Sequence, residues 1–145
     1  MMTYYKWSKT AASNATADST INWAEGQSPA SVNDSGRAMM AAAAKFRDDT
    51  SGGASTSGTS TAYTITTNQG FTSLALMDKA ELTITPNVTN AAGVTLAVDG
   101  LAAKAINISS SVAAPAGFLL AGTPYRLTYN NTLGVFIVQN VSSVI

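Results

Sequence analysis

The stretch GVTLAVDGLAAKAINI, Gly93 to Ile108, decides the fold class. Val94, Leu96 and Val98 alternate with small or polar residues, which is the period of a strand that buries one face. Asp99-Gly100 breaks the alternation, and a second run, Lys104 to Ile108, follows it. Asp-Gly supplies the positive φ angles of a tight hairpin turn, so the stretch reads as two antiparallel strands.

Moving outward, the same two-residue period recurs at Tyr63 and Ile65, at Leu74 and Leu76, and at Leu82 and Ile84. TPYRLTY, Thr123 to Tyr129, and GVFIVQN, Gly134 to Asn140, flank Asn130-Asn131 as a second hairpin. Pro86, Pro115, Gly117 and Pro124 punctuate the loops between. Residues 62–145 are therefore expected to form a small antiparallel β-sandwich or barrel-like domain of about seven or eight short strands. At roughly 85 residues such a domain is near the size where one core is only marginally stabilising, and oligomerisation would add buried area.

Upstream the period changes. RAMMAAAAKFRDD, Arg37 to Asp49, has nearly the highest helix propensity available, and Asn33 or Asp34 can cap a helix over about 32–49, with Pro29 just before it. Val32, Gly36, Met39, Ala43 and Phe46 recur at steps of four and three, a short heptad seam rich in small residues. Such a seam needs a partner, either the β domain or further copies of the helix. Arg37 lies three residues after Asp34 and Lys45 four before Asp49, both spacings of a solvated flank.

Residues 1 to about 27 show no sustained period and are expected to form an extended arm. Its anchors are Tyr4, Tyr5, Trp7 and Trp23, rings that each bury about 150–250 Å² when docked on their own chain or on a neighbour. TSGGASTSGTST, Thr50 to Thr61, reads as a polar linker, which divides the chain into an arm and helix at 1–50, a linker at 51–61 and the β domain.

Composition limits the chemistry. The 145 residues are 46% hydrophobic and 11% charged, with eight basic and eight acidic side chains and neither histidine nor cysteine. The commonest neutral-pH base, the thiolate nucleophile and the usual zinc ligands are thus missing. A net charge of zero offers no footprint for nucleic acid or for an anionic membrane surface, and no apolar run has the length of a signal peptide or a membrane span. No cofactor, metal or catalytic residue is expected, and the chain is read as a non-enzyme.

Three weaker constellations remain in the sequence. Asp78 and Glu81 are a carboxylate pair of the kind that cleaves glycosides, but they sit at a turn, where charges are ordinarily shed to solvent. Asp48 and Asp49, beside Thr50 and Ser51, offer oxygen ligands for calcium without the alternating loop of a strong calcium motif. Tyr125, Arg126 and Tyr129 can stack on or fork to a glycan, although strand alternation places Arg126 toward water and Tyr125 and Leu127 inward.

NATADSTINWAEGQSPASVNDSGRAMMAAAAKFRDD, Asn14 to Asp49, resembles the amino-terminal signature of bacteriophage tail-fibre-like and other virion appendage proteins. Asn22 to Gln27, Pro29, Ser31 to Ser35 and Arg37 to Met40 carry the match, a Trp-Ala-Glu-Gly-Gln segment before Pro-x-Ser-Val-Asn-Asp-Ser and an Ala/Met/Arg helix. AYTITTNQGFTSL, from Ala62, and NAAGVTLAVDGLAAKAI, from Asn90, resemble the β segment that follows in those proteins. Gly36 departs from the Ala expected there, at a cost of about 1 kcal/mol to the helix.

The resemblance implies a structural virion protein made in the bacterial host cytoplasm, a homotrimer whose amino-terminal region joins a tail or collar protein. Longer members continue into shafts and receptor-binding tips, and the expectation here is a short tail-fibre-like appendage subunit. In a trimer Val32, Met39 and Phe46 would face the axis, with Gly36 and Ala43 admitting close approach. Two alternatives stand beside this reading: a capsid or neck decoration protein, and an adhesion module for a host surface glycan.

Overall fold

A computed structural model describes residues 4–139. Its element order is a helix α1 (Pro29–Thr50) followed by eight strands: β1 (Ala54–Ser55), β2 (Ser57–Thr59), β3 (Ala62–Ile65), β4 (Glu81–Thr85), β5 (Thr95–Val98), β6 (Lys104–Asn107), β7 (Tyr125–Asn130) and β8 (Val135–Val138). They form one sheet in the order β1-β4-β7-β8-β6-β5-β3-β2.

That sheet curls into a near-closed barrel. Its two edge strands, β1 and β2, are successive pieces of chain separated by Thr56 alone, so one kinked segment lies along both edges. The Thr56 N–H donates to the Thr85 carbonyl at 2.9 Å, and its hydroxyl donates to Asn87 Oδ1 at 2.8 Å while accepting from the Asn87 N–H at 3.0 Å. Edge groups that would otherwise be left unpaired are satisfied at this corner.

The expected β class is present with one helix, but the sheet is mixed. β1 pairs with β4, β3 with β5 and β6 with β8 in parallel, and the remaining pairings are antiparallel. Hairpin reasoning sees only neighbours joined by short turns, so it misses parallel partners brought together by long connections. Both expected hairpins form. The first turns through Asp99 at φ 52° and Gly100 at φ 78°, and the second uses the longer loop 131–134 rather than Asn130-Asn131.

Alternation fills the interior. Tyr63, Ile65, Leu82, Ile84, Leu96, Val98, Ile106, Leu127, Tyr129, Phe136 and Val138 are all buried in one core. They are also cross-strand neighbours, as Tyr63 is to Leu96, Leu82 to Leu127 and Tyr129 to Phe136. Loop residues Phe71, Met77, Ala114 and Leu119 join the same core.

The expected strand at Leu74 and Leu76 is a series of turns instead: Ser73 Oγ accepts from the Leu76 N–H, Leu76 is exposed and Met77 is buried. The expected linker also carries structure, because β1 and β2 lie within residues 51–61. The domain assignment to 62–145 extends, at 140–145, outside the described residues.

The helix begins earlier than its composition indicates. Ser28 caps it by accepting from the Ser31 N–H, and Pro29 occupies the first turn, where its missing N–H costs nothing. Asn33 and Asp34 therefore lie inside the helix, not at its cap.

Candidate functional site

The amino-terminal segment is not an extended arm. Two short 3₁₀ turns, Tyr4–Lys6 and Ala11–Asn14, fold it back over α1 and the barrel. The Tyr4 ring meets Phe46 and Trp7 edge-on at centroid distances of 5.0 and 4.5 Å, and Tyr5 lies against Phe71 at 5.0 Å. Tyr5 also accepts from the Glu81 N–H at 3.3 Å. Burial raises the Tyr5 phenol above its ordinary value, with the Glu81 N–H opposing and the charges of Glu81 and Asp49 reinforcing. These rings bury against their own chain because Phe46 and Phe71 present apolar surface within reach of so short a segment.

Further along, Ser35 of α1 stitches the segment down. Its hydroxyl accepts from the Asn22 N–H at 2.8 Å and donates to the Asn22 carbonyl at 3.1 Å. The buried positions of α1 are Ser35, Ala42 and Asp49, a strict seven-residue spacing that marks the side turned toward the rest of the chain.

The expected seam lies mainly off that side. Val32 is 42% exposed and Met39 39%, and Ala43 is exposed as well. Gly36 and Phe46 are half-buried, Phe46 beneath Tyr4 and Tyr5. With Met40, 74% exposed, the positions Val32, Gly36, Met39, Met40 and Ala43 make one apolar helix face open to solvent.

Beside this face is a cleft of ≈ 180 Å³ lined by Trp7, Asn14, Asp18, Ile21, Trp23 and Met39. Asp18 is 4% exposed. Its Oδ1 accepts from the Thr20 N–H and hydroxyl at 2.9 and 2.7 Å, whereas Oδ2 has no hydrogen-bond partner. Burial pushes this carboxyl up, but the Thr20 bonds, the nearby Trp7 indole and the Lys6 charge together hold it below its ordinary value. The Trp7 indole is near enough to favour the anion without reaching hydrogen-bond geometry at Oδ2.

Trp7 and Trp23 were legible in the sequence as anchors. Asp18 was not. The Asp18-Ser19-Thr20 run has the composition of an Asx turn, which accounts for Oδ1, and nothing local marks the free oxygen.

The other candidates are drawn into structural contacts. Tyr129 is 1% exposed and packs on Phe136, so it has no ring face to offer a sugar. Tyr125 donates its hydroxyl to the Phe118 carbonyl, and Arg126 pairs with Glu81 on the outer surface. Arg126 faces away from the two tyrosines because successive strand residues face opposite ways, and each tyrosine is already engaged, Tyr125 with Phe118 and Tyr129 with Phe136.

Asp78, the other member of the carboxylate pair, accepts from the Asn131 N–H at 2.8 Å and lies 3.4 Å from the Lys79 ammonium. Asp78 and Glu81 thus serve different partners. Asp49 spends both oxygens on Asn68 and Gln69, and Asp48 pairs with Arg47. Among the described residues no group of three or more acidic, cysteine or histidine side chains is placed to hold a metal ion, and no helix is long and apolar enough to cross a membrane.

Compared with known proteins, the chain matches no protein-family model, no curated protein and no solved structure.

Proposed function

We propose that this protein is a structural subunit of a bacteriophage virion, a short tail-fibre-like appendage that joins the tail or collar through residues 1–50. The barrel is the displayed part. The observation that carries the reading is the open apolar face Val32, Gly36, Met39, Met40 and Ala43, which lies on the helix that bears the resemblance to appendage proteins. A domain that already buries its core in a barrel has no internal use for a second apolar strip, and contiguous apolar surface of this kind is a contact surface.

Further copies of the same helix are the occupants in this reading. The seven-residue interval from Val32 to Met39 and the bare backbone at Gly36 suit a parallel three-helix axis. Ion pairing between Asp34 and Arg37, at 2.7 Å on the exposed flank, keeps charge off that face.

Light scattering at two concentrations tests the axis. The expected mass is near three 14.8 kDa chains for the wild type and one chain for Val32→Asp. A single chain in both would remove the trimer. On particles, Val32→Asp with Met40→Asp is expected to leave the protein out of the virion. Incorporation at normal copy number would sink the proposed attachment. Point variants are the right tool, since removing residues 1–30 would uncover Phe46 and Phe71.

A further inference from the structure

We propose that the cleft between the amino-terminal segment and α1 binds a primary alkylammonium group, the chemistry of a lysine side chain. This inference does not depend on the virion reading, because it rests on the cleft alone. The single buried side-chain atom without a hydrogen-bond partner among the described residues is Asp18 Oδ2, and Asp18 lines this cleft. Leaving a carboxylate oxygen unmatched in a buried position is costly, so the site is short of one donor.

The walls state what kind of donor. Trp7 and Trp23 line the cleft with indole rings, which attract cations, and Ile21 supplies apolar surface for a methylene stem. Asn14 does not compete for the ligand, since its side-chain oxygen accepts from the Ser8 N–H at 2.7 Å and its amide donates to the Ser8 carbonyl at 2.8 Å. Lys6 adds its field from an exposed position but makes no ion pair with Asp18.

Geometry narrows the ligand further. A quaternary ammonium would satisfy the aromatic walls yet has no N–H for Oδ2. A guanidinium delivers two parallel N–H groups, and here only one carboxylate oxygen is free, the other being held by Thr20. A primary ammonium on an unbranched stem meets both the wall and the orphan oxygen.

The experiment uses the full chain and its own fluorescence. The chain contains two tryptophans, Trp7 and Trp23, and both line the cleft, so all tryptophan emission reports on it. Titration with n-butylammonium chloride at constant ionic strength is expected to give a saturable change with a half-point of about millimolar. Tetramethylammonium and n-butanol are expected to bind at least about tenfold more weakly, and Asp18→Asn to lose about tenfold with an unchanged circular dichroism spectrum.

No saturable response, an equal response to tetramethylammonium or butanol, or unchanged binding by folded Asp18→Asn would overturn the proposal. If Asp18→Asn does not fold, Trp23→Leu decides, because Trp23 is 39% exposed and outside the core. Weaker binding followed through Trp7 supports the cleft, and unchanged binding refutes it. The source of the ammonium is read from two further ligands. Nα-acetyl-lysine methylamide binding as well as butylammonium points to a lysine of a protein partner, and putrescine binding about tenfold tighter points to a free polyamine.

Discussion

The carboxylate of Asp49 accepts twice from Asn68, from its backbone N–H at 3.0 Å and from its side-chain amide at 2.9 Å. Its second oxygen takes the Gln69 amide at 2.9 Å in a buried position. Together with the Thr83 hydroxyl, which donates to the Thr50 carbonyl at 2.8 Å, this contact clamps the last turn of α1 to the barrel. An acidic residue at a helix C-terminus opposes the helix dipole, so its place there is explained by the loop it holds.

Asp49→Ala removes a charged acceptor of three hydrogen bonds and is expected to destabilise the fold by about 2–4 kcal/mol. Urea unfolding measures this directly. A loss below about 0.5 kcal/mol would mean that the helix is held without the Asp49 carboxylate, by its ring contacts and the Thr83 hydroxyl.

Two glycines should respond in opposite directions to alanine. At Gly58, φ is +97° and an added Cβ would lie 2.1 Å from the Ala62 carbonyl oxygen, in the hairpin that joins β2 to β3. Gly58→Ala is therefore expected to cost more than about 2 kcal/mol and to open the edge of the barrel. A Cβ at Gly36 meets nothing within 4 Å, so in the single chain Gly36→Ala is expected to gain about 0.5–1 kcal/mol. If Gly36→Ala raises the melting temperature of an isolated chain while lowering the mass seen by light scattering, helices approach one another at this residue.

Acid stability should depend on Asp78. The Asn131 N–H holds its carboxyl below the ordinary value of 3.8; burial opposes it, and the Lys79 charge and hydrogen bonds reinforce it. A depressed value means that the folded state keeps the charge where the unfolded chain takes a proton. The contribution is complete above 3.8 and is lost as pH falls through the lower folded-state value. Melting curves between about pH 5 and 2 are expected to be flatter for Asp78→Asn than for the wild type. Identical slopes would show that the Asn131 contact contributes nothing.

Alkaline stability carries the opposite sign. Burial raises the phenols of Tyr5, Tyr63 and Tyr129 above 10.0. The folded state then retains protons that the unfolded chain gives up, so stability present below 10.0 is lost as pH rises through the folded-state values. Absorbance titration of the phenolates is expected to show Tyr5, Tyr63 and Tyr129 ionising above 10.0, together with loss of the barrel's circular dichroism. Ionisation of Tyr5, Tyr63 and Tyr129 at or below 10.0 in folded protein would contradict the packing.

What the sequence determined by itself is the set of features encoded within a few residues. Tyr63 and Ile65, Leu82 and Ile84, and Leu96 and Val98 face inward because a strand alternates every two residues. Asp99-Gly100 makes its turn because those residues tolerate positive φ, and the alanine run makes its helix because propensity is local. Leu74 and Leu76 show the limit: an alternation too short to outweigh the turn bonds around Ser73 does not become a strand.

Tertiary structure decided everything that depends on distant residues meeting. Thr56 and Asn87 close the barrel across 31 positions, and Asp49 reaches Asn68 across 19. Tyr5 finds Glu81 across 76, which converts an expected arm into a folded cover. The unmatched oxygen of Asp18 is of the same kind. No residue type announces it, because a missing hydrogen bond is a property of the surroundings, and those are assembled only when the segment folds back against α1.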